Sequence, residues 1–120
     1  MRFLILIFFL SLSASANDSY EKGKQLYKQK SCANCHGTAL QGIHKYPYLA
    51  NRSAGFLSYK LKRFRSRISD NQQQEMMIAF AINLSDKNIE NLVVYMSEYV
   101  DEINNEQYDD SYEVHGDGGS

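Results

Sequence analysis

The sequence predicts a small all-α domain of about four helices, and three observations carry that expectation. Apolar residues recur three and four positions apart in three separate stretches, the period of a helix with one buried face, and a fourth stretch from about Gln72 to Ile82 reads as helix as well. Helix-start residues stand where those stretches begin, Asp18 with Glu21 three later and Ser85 further on. One segment, 37–54, has the Gly, Pro and Asn content of a long loop. At 120 residues, 43% hydrophobic and 22% charged, the chain has material for one domain.

Taken in order, residues 1–16 read as a secretory signal peptide. Arg2 supplies the positive start, Phe3 to Leu12 the apolar run, and Ala14-Ser15-Ala16 the small-residue cleavage signal. A run of ten residues falls short of the roughly 20 that a membrane-spanning helix needs, and no later segment is apolar enough to span. The expectation is cleavage after Ala16 and a domain over 17–100. Helix one starts at an Asp18 cap and carries Tyr20, Gly23, Leu26 and Tyr27 at helical spacing through Lys30. Helix two places Leu57, Leu61, Phe64 and Ile68 on its inner face, with Lys60, Lys62, Arg63, Arg65 and Arg67 outside as a positive patch. The last helix, capped by Ser85, lines up Ile89, Leu92, Val93, Met96 and Val100. After Val100 the composition turns acidic: residues 101–120 hold seven Asp and Glu and no Lys or Arg, and read as a disordered tail.

The chemistry sits in "SCANCHG", where Cys32, Cys35 and His36 fall within five positions. A disulfide between the two cysteines would close a four-residue loop and remove little entropy from the unfolded chain. A redox-active C-x-x-C belongs after a buried strand, and the flanks offer none. A zinc site needs four ligands, while His44 and His115 have no paired spacing. C-x-x-C-H uses all three residues together. One helical turn presents both thiols and the imidazole on one side, so the thiols can form thioethers with the two vinyl groups of a haem while His36 binds its iron. The expected cofactor is one covalently bound haem c. An 84-residue helical body, marginal by itself, gains a core from a buried haem.

"CANCHG", Pro47-Tyr48-Leu49, "YKLKRFRSR" and "MMIAFAINLSDKNIENLVVYM" together resemble the small bacterial class I monohaem cytochromes c, over about residues 19–100. Asn51 stands where those proteins usually have Gly, and Ser66 replaces a common Gly between the arginines. The resemblance implies the small cytochrome c fold, with helix one packed on the last helix where Gly23 lets Tyr95 approach. It implies that Met77, seven residues before Leu84, is the sixth iron ligand, with Met76 as the alternative. It also implies that the Pro47 carbonyl accepts the Nδ1 hydrogen of His36. Met96 falls on the apolar stripe of its helix and reads as core, His44 and His115 as solvated, and Tyr46, Tyr48, Arg52 and Arg65 stand unranked as partners for the haem propionates.

No phosphate-cradling glycine loop or other catalytic grouping occurs, and the basic helix lacks the aromatic interleaving of a single-strand nucleic-acid binder. The expected function is therefore a periplasmic electron carrier, not itself a catalyst. It would be monomeric and exchange single electrons with redox proteins such as a membrane or periplasmic oxidoreductase. The alternatives are a haem enzyme or gas binder with an open sixth position, and an electron-transfer subunit of a larger oxidoreductase. Residues 17–100 carry 12 Lys and Arg against seven Asp and Glu, so the tail could compete with an acidic partner for the basic face of helix two.

Overall fold

Residues 15–102 are described by the computed structural model of the chain, in which five helices and no strand occur among the described residues. They are α1 (Ser15–Gln29), α2 (Ala33–His36), α3 (Ala54–Arg65), α4 (Gln72–Ala81) and α5 (Asp86–Ser97). The extra element relative to expectation is α2, the single turn that carries the haem motif. Residues 1–14 of the signal peptide and 103–120 of the acidic tail lie outside the described residues. No helix among the described residues is long and apolar enough to cross a membrane.

The principal packing is α1 against α5, with α3 resting on α5 and on α4. Gly23 allows α1 and α5 to meet: a Cβ there would collide with the backbone carbonyl of Asn91 and lie 2.7 Å from the Cβ of Tyr95. Tyr20, Tyr27 and Tyr99 surround the Tyr95 ring edge-on, with centroids 5.1, 5.6 and 5.8 Å away. Such edge-to-face contacts add about 0.5–1.5 kcal/mol each beyond area burial.

Helix starts follow the side-chain chemistry. The Ser53 hydroxyl accepts from the Phe56 N–H, the Asn71 carboxamide oxygen from Gln74, and Ser85 and Asn88 form a reciprocal capping box. Asp18 is not a cap. Helix α1 is already formed at Ser15, and the Asp18 carboxylate reaches forward to Lys22 at 3.0 Å.

Two helix ends deliver functional residues. After α1 the chain turns through Ser31 at φ 60°, where Ser31 N–H donates to the Lys28 carbonyl and Cys32 N–H to that of Tyr27. This is a Schellman closure, and it swings Cys32 into α2. After α3 the same closure falls on Arg67 at φ 64°, with Ile68 N–H donating to Arg63. The turn releases Ile68 from the apolar stripe predicted for it, and the side chain is 45% exposed. The left-handed residue is Arg67, while Ser66 keeps φ −80°. Val100 likewise lies past the end of α5, which is closed at Glu98, and is exposed.

The positive patch on α3 is partly paired with carboxylates from other segments. Lys60 and Arg63 both pair with Asp70, at 3.3 and 2.7 Å, and Arg65 pairs with Asp86 at 2.7 Å while donating to the Leu84 carbonyl. Three of its five cations thus tie α3 to the segment before α4 and to the start of α5. At the start of the acidic tail, Glu102 pairs with Lys24 on α1.

Candidate haem site

The motif turn is held from three directions. Gly37 N–H donates to Ala33, and His36 N–H to Cys32, closing α2. The Tyr27 hydroxyl, buried at the end of α1, donates to the Gly37 carbonyl at 2.7 Å. From the long loop, the Pro47 carbonyl oxygen lies 2.8 Å from His36 Nδ1. A carbonyl only accepts, so the Nδ1 hydrogen points at Pro47, and the neutral imidazole presents its Nε2 lone pair as the free donor atom.

That loop is fixed although it contains no helix. Leu40, fully buried at φ 55°, receives the N–H groups of Leu49 and Ala50 on its carbonyl. Asn51 adopts φ 57°, a conformation Asn tolerates, and its N–H donates to the Met96 carbonyl at the end of α5. The departure from Gly at this position is therefore accommodated.

Cys32, Cys35 and His36 open onto a cavity of about 560 Å³. Helix α3 contributes Leu57, Leu61 and Phe64 to its wall, α5 contributes Leu92 and Met96, and α4 contributes Met76, Met77, Phe80 and Ala81. Met77 is half-buried against the core, whereas Met76 is 52% exposed. The volume lies within the roughly 300–1,000 Å³ of cofactor-sized sites, and the lining is mostly apolar. Its charged lining residues, the Lys30, Lys45, Arg52 and Lys60 side chains, are all basic. Such a cavity suits a flat apolar ring system that carries carboxylates at its edge.

Of the four residues considered for those carboxylates, Arg52 and Tyr46 line the cavity. Arg52 is sandwiched by the rings of Phe56 at 4.2 Å and Tyr48 at 5.2 Å, which fixes the guanidinium at the cavity side. Tyr48 serves as that clamp and does not line the cavity; Arg65 is engaged by Asp86. His44 is exposed and lines a shallow neighbouring groove with Gln72 and Gln73, and His115 lies outside the described residues. Met96 is buried, as its stripe implied, and also reaches the cavity wall.

The two cysteines are free of each other as a disulfide. Burial pushes the Cys32 thiol up to about 11, the reverse of the lowered value that makes a redox C-x-x-C reactive. Sequence reasoning missed Tyr27 as the brace of the motif, and Phe56 and Phe80 as cavity residues. The spacing of Tyr27 marked it only as apolar face, and nothing local distinguishes Phe80 from a core residue.

Fold and site together define a helical haem-binding domain with a covalent attachment motif. The chain belongs to the cytochrome c family: the family model described as Cytochrome c matches residues 20–99. A curated relative, cytochrome c-554(548) of Halomonas halodenitrificans, is 34% identical over 68 residues, covering 56% of this chain and 82% of the relative. The cofactor is haem c, and Cys32, Cys35 and His36 fit its attachment motif. The protein is thus a c-type cytochrome of the electron-carrying class.

Proposed function

We propose that this cytochrome is an exported, monomeric single-electron carrier between protein redox partners, with His36 and Met77 as axial ligands of one haem c and no catalysis of its own. Haem supplies the ferric–ferrous couple; the polypeptide supplies attachment, orientation and a dry pocket. Cys32 and Cys35 anchor the ring. The Pro47 carbonyl holds the His36 imidazole in the tautomer that leaves Nε2 free. Leu57, Phe64 and Leu92 exclude water.

The observation that carries the reading is the placement of the adjacent methionines. Both line the cavity that His36 faces, and of the two Met77 is the one packed against the core, which supports it as the ligand. A thioether bound to the iron would fill a ligand position and raise the potential, which suits a carrier and slows oxygen chemistry without abolishing it. Export rests on the character of residues 1–16. Because the charged side chains lining the cavity are all basic, the partner surface we propose is acidic.

Replacing Met77 tests the assignment. Met77→Ala is expected to abolish the sulfur-to-iron charge-transfer band of the ferric protein, lower the potential and let carbon monoxide bind, while Met76→Ala keeps the band. A band that survives in Met77→Ala and disappears in Met76→Ala would move the role one residue. An unaltered parent protein that already binds carbon monoxide would overturn the carrier reading in favour of an open-site haem protein.

A further inference from the structure

We infer that Tyr27, Tyr95, Tyr20 and Tyr99 form a drain that carries oxidising equivalents from the haem cavity to the α1–α5 surface, protecting the cofactor from peroxide. This goes beyond the carrier reading and rests on haem seated in the cavity that Tyr27 lines; a methionine on the iron slows the entry of peroxide, so the drain serves the molecules in which that bond is open. The chain contains no Trp, so phenol rings are its readily oxidised aromatics. Four of the nine tyrosines are in one connected group. Tyr27 is buried on the cavity wall, Tyr95 is buried beside it at 5.6 Å, and Tyr20 and Tyr99 adjoin Tyr95 at 5.1 and 5.8 Å. These are ring-to-ring contact distances, so a one-electron vacancy can move between neighbours without crossing a gap.

The direction of travel follows from where a proton can leave. An oxidised phenol is strongly acidic and persists as the neutral phenoxyl only after losing its hydrogen. Tyr27 donates to the Gly37 carbonyl, which cannot take up a proton, and burial holds the hydroxyls of Tyr27 and Tyr95 protonated well above the usual phenol range. Burial raises the Tyr99 hydroxyl too, but Tyr20 and Tyr99 are half-buried where Tyr27 and Tyr95 are buried, so the outer pair is nearer to water that can take a proton. The Tyr20 oxygen accepts from the Val100 N–H at 3.2 Å, a bond that does not use the hydroxyl's own proton. The vacancy therefore settles on these two outer rings.

The chemistry balances with hydrogen peroxide as the oxidant. Two phenols each release one electron and one proton; peroxide takes both pairs, its O–O bond breaks, and two waters form. The two phenoxyls, on Tyr20 or Tyr99 of two protein molecules, join through one new carbon–carbon bond as dityrosine.

The test treats the ferric holoprotein with dilute hydrogen peroxide. Tyrosine modification is mapped by peptide mass spectrometry while cofactor bleaching is followed in the visible spectrum. The expected result in the parent protein is modification concentrated at Tyr20 and Tyr99, with dityrosine-linked dimers. Tyr95→Phe keeps a ring in the same packing but is far harder to oxidise. It should reduce modification at Tyr20 and Tyr99 severalfold and quicken bleaching. Should that variant lose haem or melt early, Tyr20→Phe/Tyr99→Phe decides instead: dimers should vanish and bleaching should quicken. Equal modification of the outer rings with and without the Tyr95 hydroxyl, or damage confined to Tyr46 at the cavity, would overturn the drain. A wrong haem placement would show separately, as an abnormal spectrum before peroxide is added.

Discussion

Helix α5 separates two regions built on different terms. Toward α1, Asn91 and Tyr95 meet Gly23 and a ring of tyrosines, and protein atoms alone complete the contact. Toward the cavity, Leu92 and Met96 face a space shared with α3 and α4. Helix α4 shows the contrast best: Ala81 is its one buried residue, and Met76 and Phe80 are 52% and 44% exposed. The first region is finished by packing. The second is an apolar cavity wall that a bound haem would cover, so the cofactor would complete this side of the core as well as supply the redox centre.

The largest expected effect breaks that partnership. Cys32→Ala/Cys35→Ala removes covalent attachment, and hydrogen exchange should then show α4 and the 37–53 loop opening close to the unfolded limit while α1 and α5 retain partial protection. Uniform loss of protection in all helices would show that the α1–α5 contact has no stability of its own. Next comes the opposite lesion. Gly23→Ala drives a methyl into the Asn91 carbonyl, and overpacking of this kind costs about 1–3 kcal/mol or more. Thermal melting should register it, with the haem spectrum unchanged at low temperature; a shifted spectrum would mean that the two regions are coupled.

The smallest effect concerns Asp70, which joins the α3 side by charge where α1 and α5 are joined by rings. The Lys60 hydrogen bond, then the Arg63 charge, hold the Asp70 carboxyl below its ordinary value of 3.8. The folded protein therefore favours the ionised form. Its contribution to stability is complete above that ordinary value and is lost as the pH falls through the lower folded one. Asp70→Asn should lower the melting temperature slightly at neutral pH and not at all once the parent carboxyl is protonated. Added salt should shrink the difference, since the group is exposed.

Much of this arrangement is legible in the amino-acid order alone. The stripes of α1, α3 and α5 follow from apolar spacing, the Ser85 cap from local chemistry, and the cofactor from C-x-x-C-H. What stays hidden there depends on residues far apart in the chain. Ile68 and Val100 fit a periodic pattern that continues past the point where a left-handed turn or a helix end stops it. The basic face of α3 reads as an open positive patch because Asp70 and Asp86, which pair with three of its cations, lie on other segments. Arg52 and Arg65 are indistinguishable as letters; aromatic rings hold one at the cavity and a carboxylate draws the other away.

The Val100 N–H donates to the Tyr20 hydroxyl across 80 positions of sequence, and Glu102 pairs with Lys24. The last described residues therefore lie along α1, beside residues that do not line the haem cavity. A linker from Glu102 back to Ser15 would run beside the first turns of α1 and not across the molecule, so the described residues could be permuted, with new termini opened in the exposed stretch around His44 and Lys45.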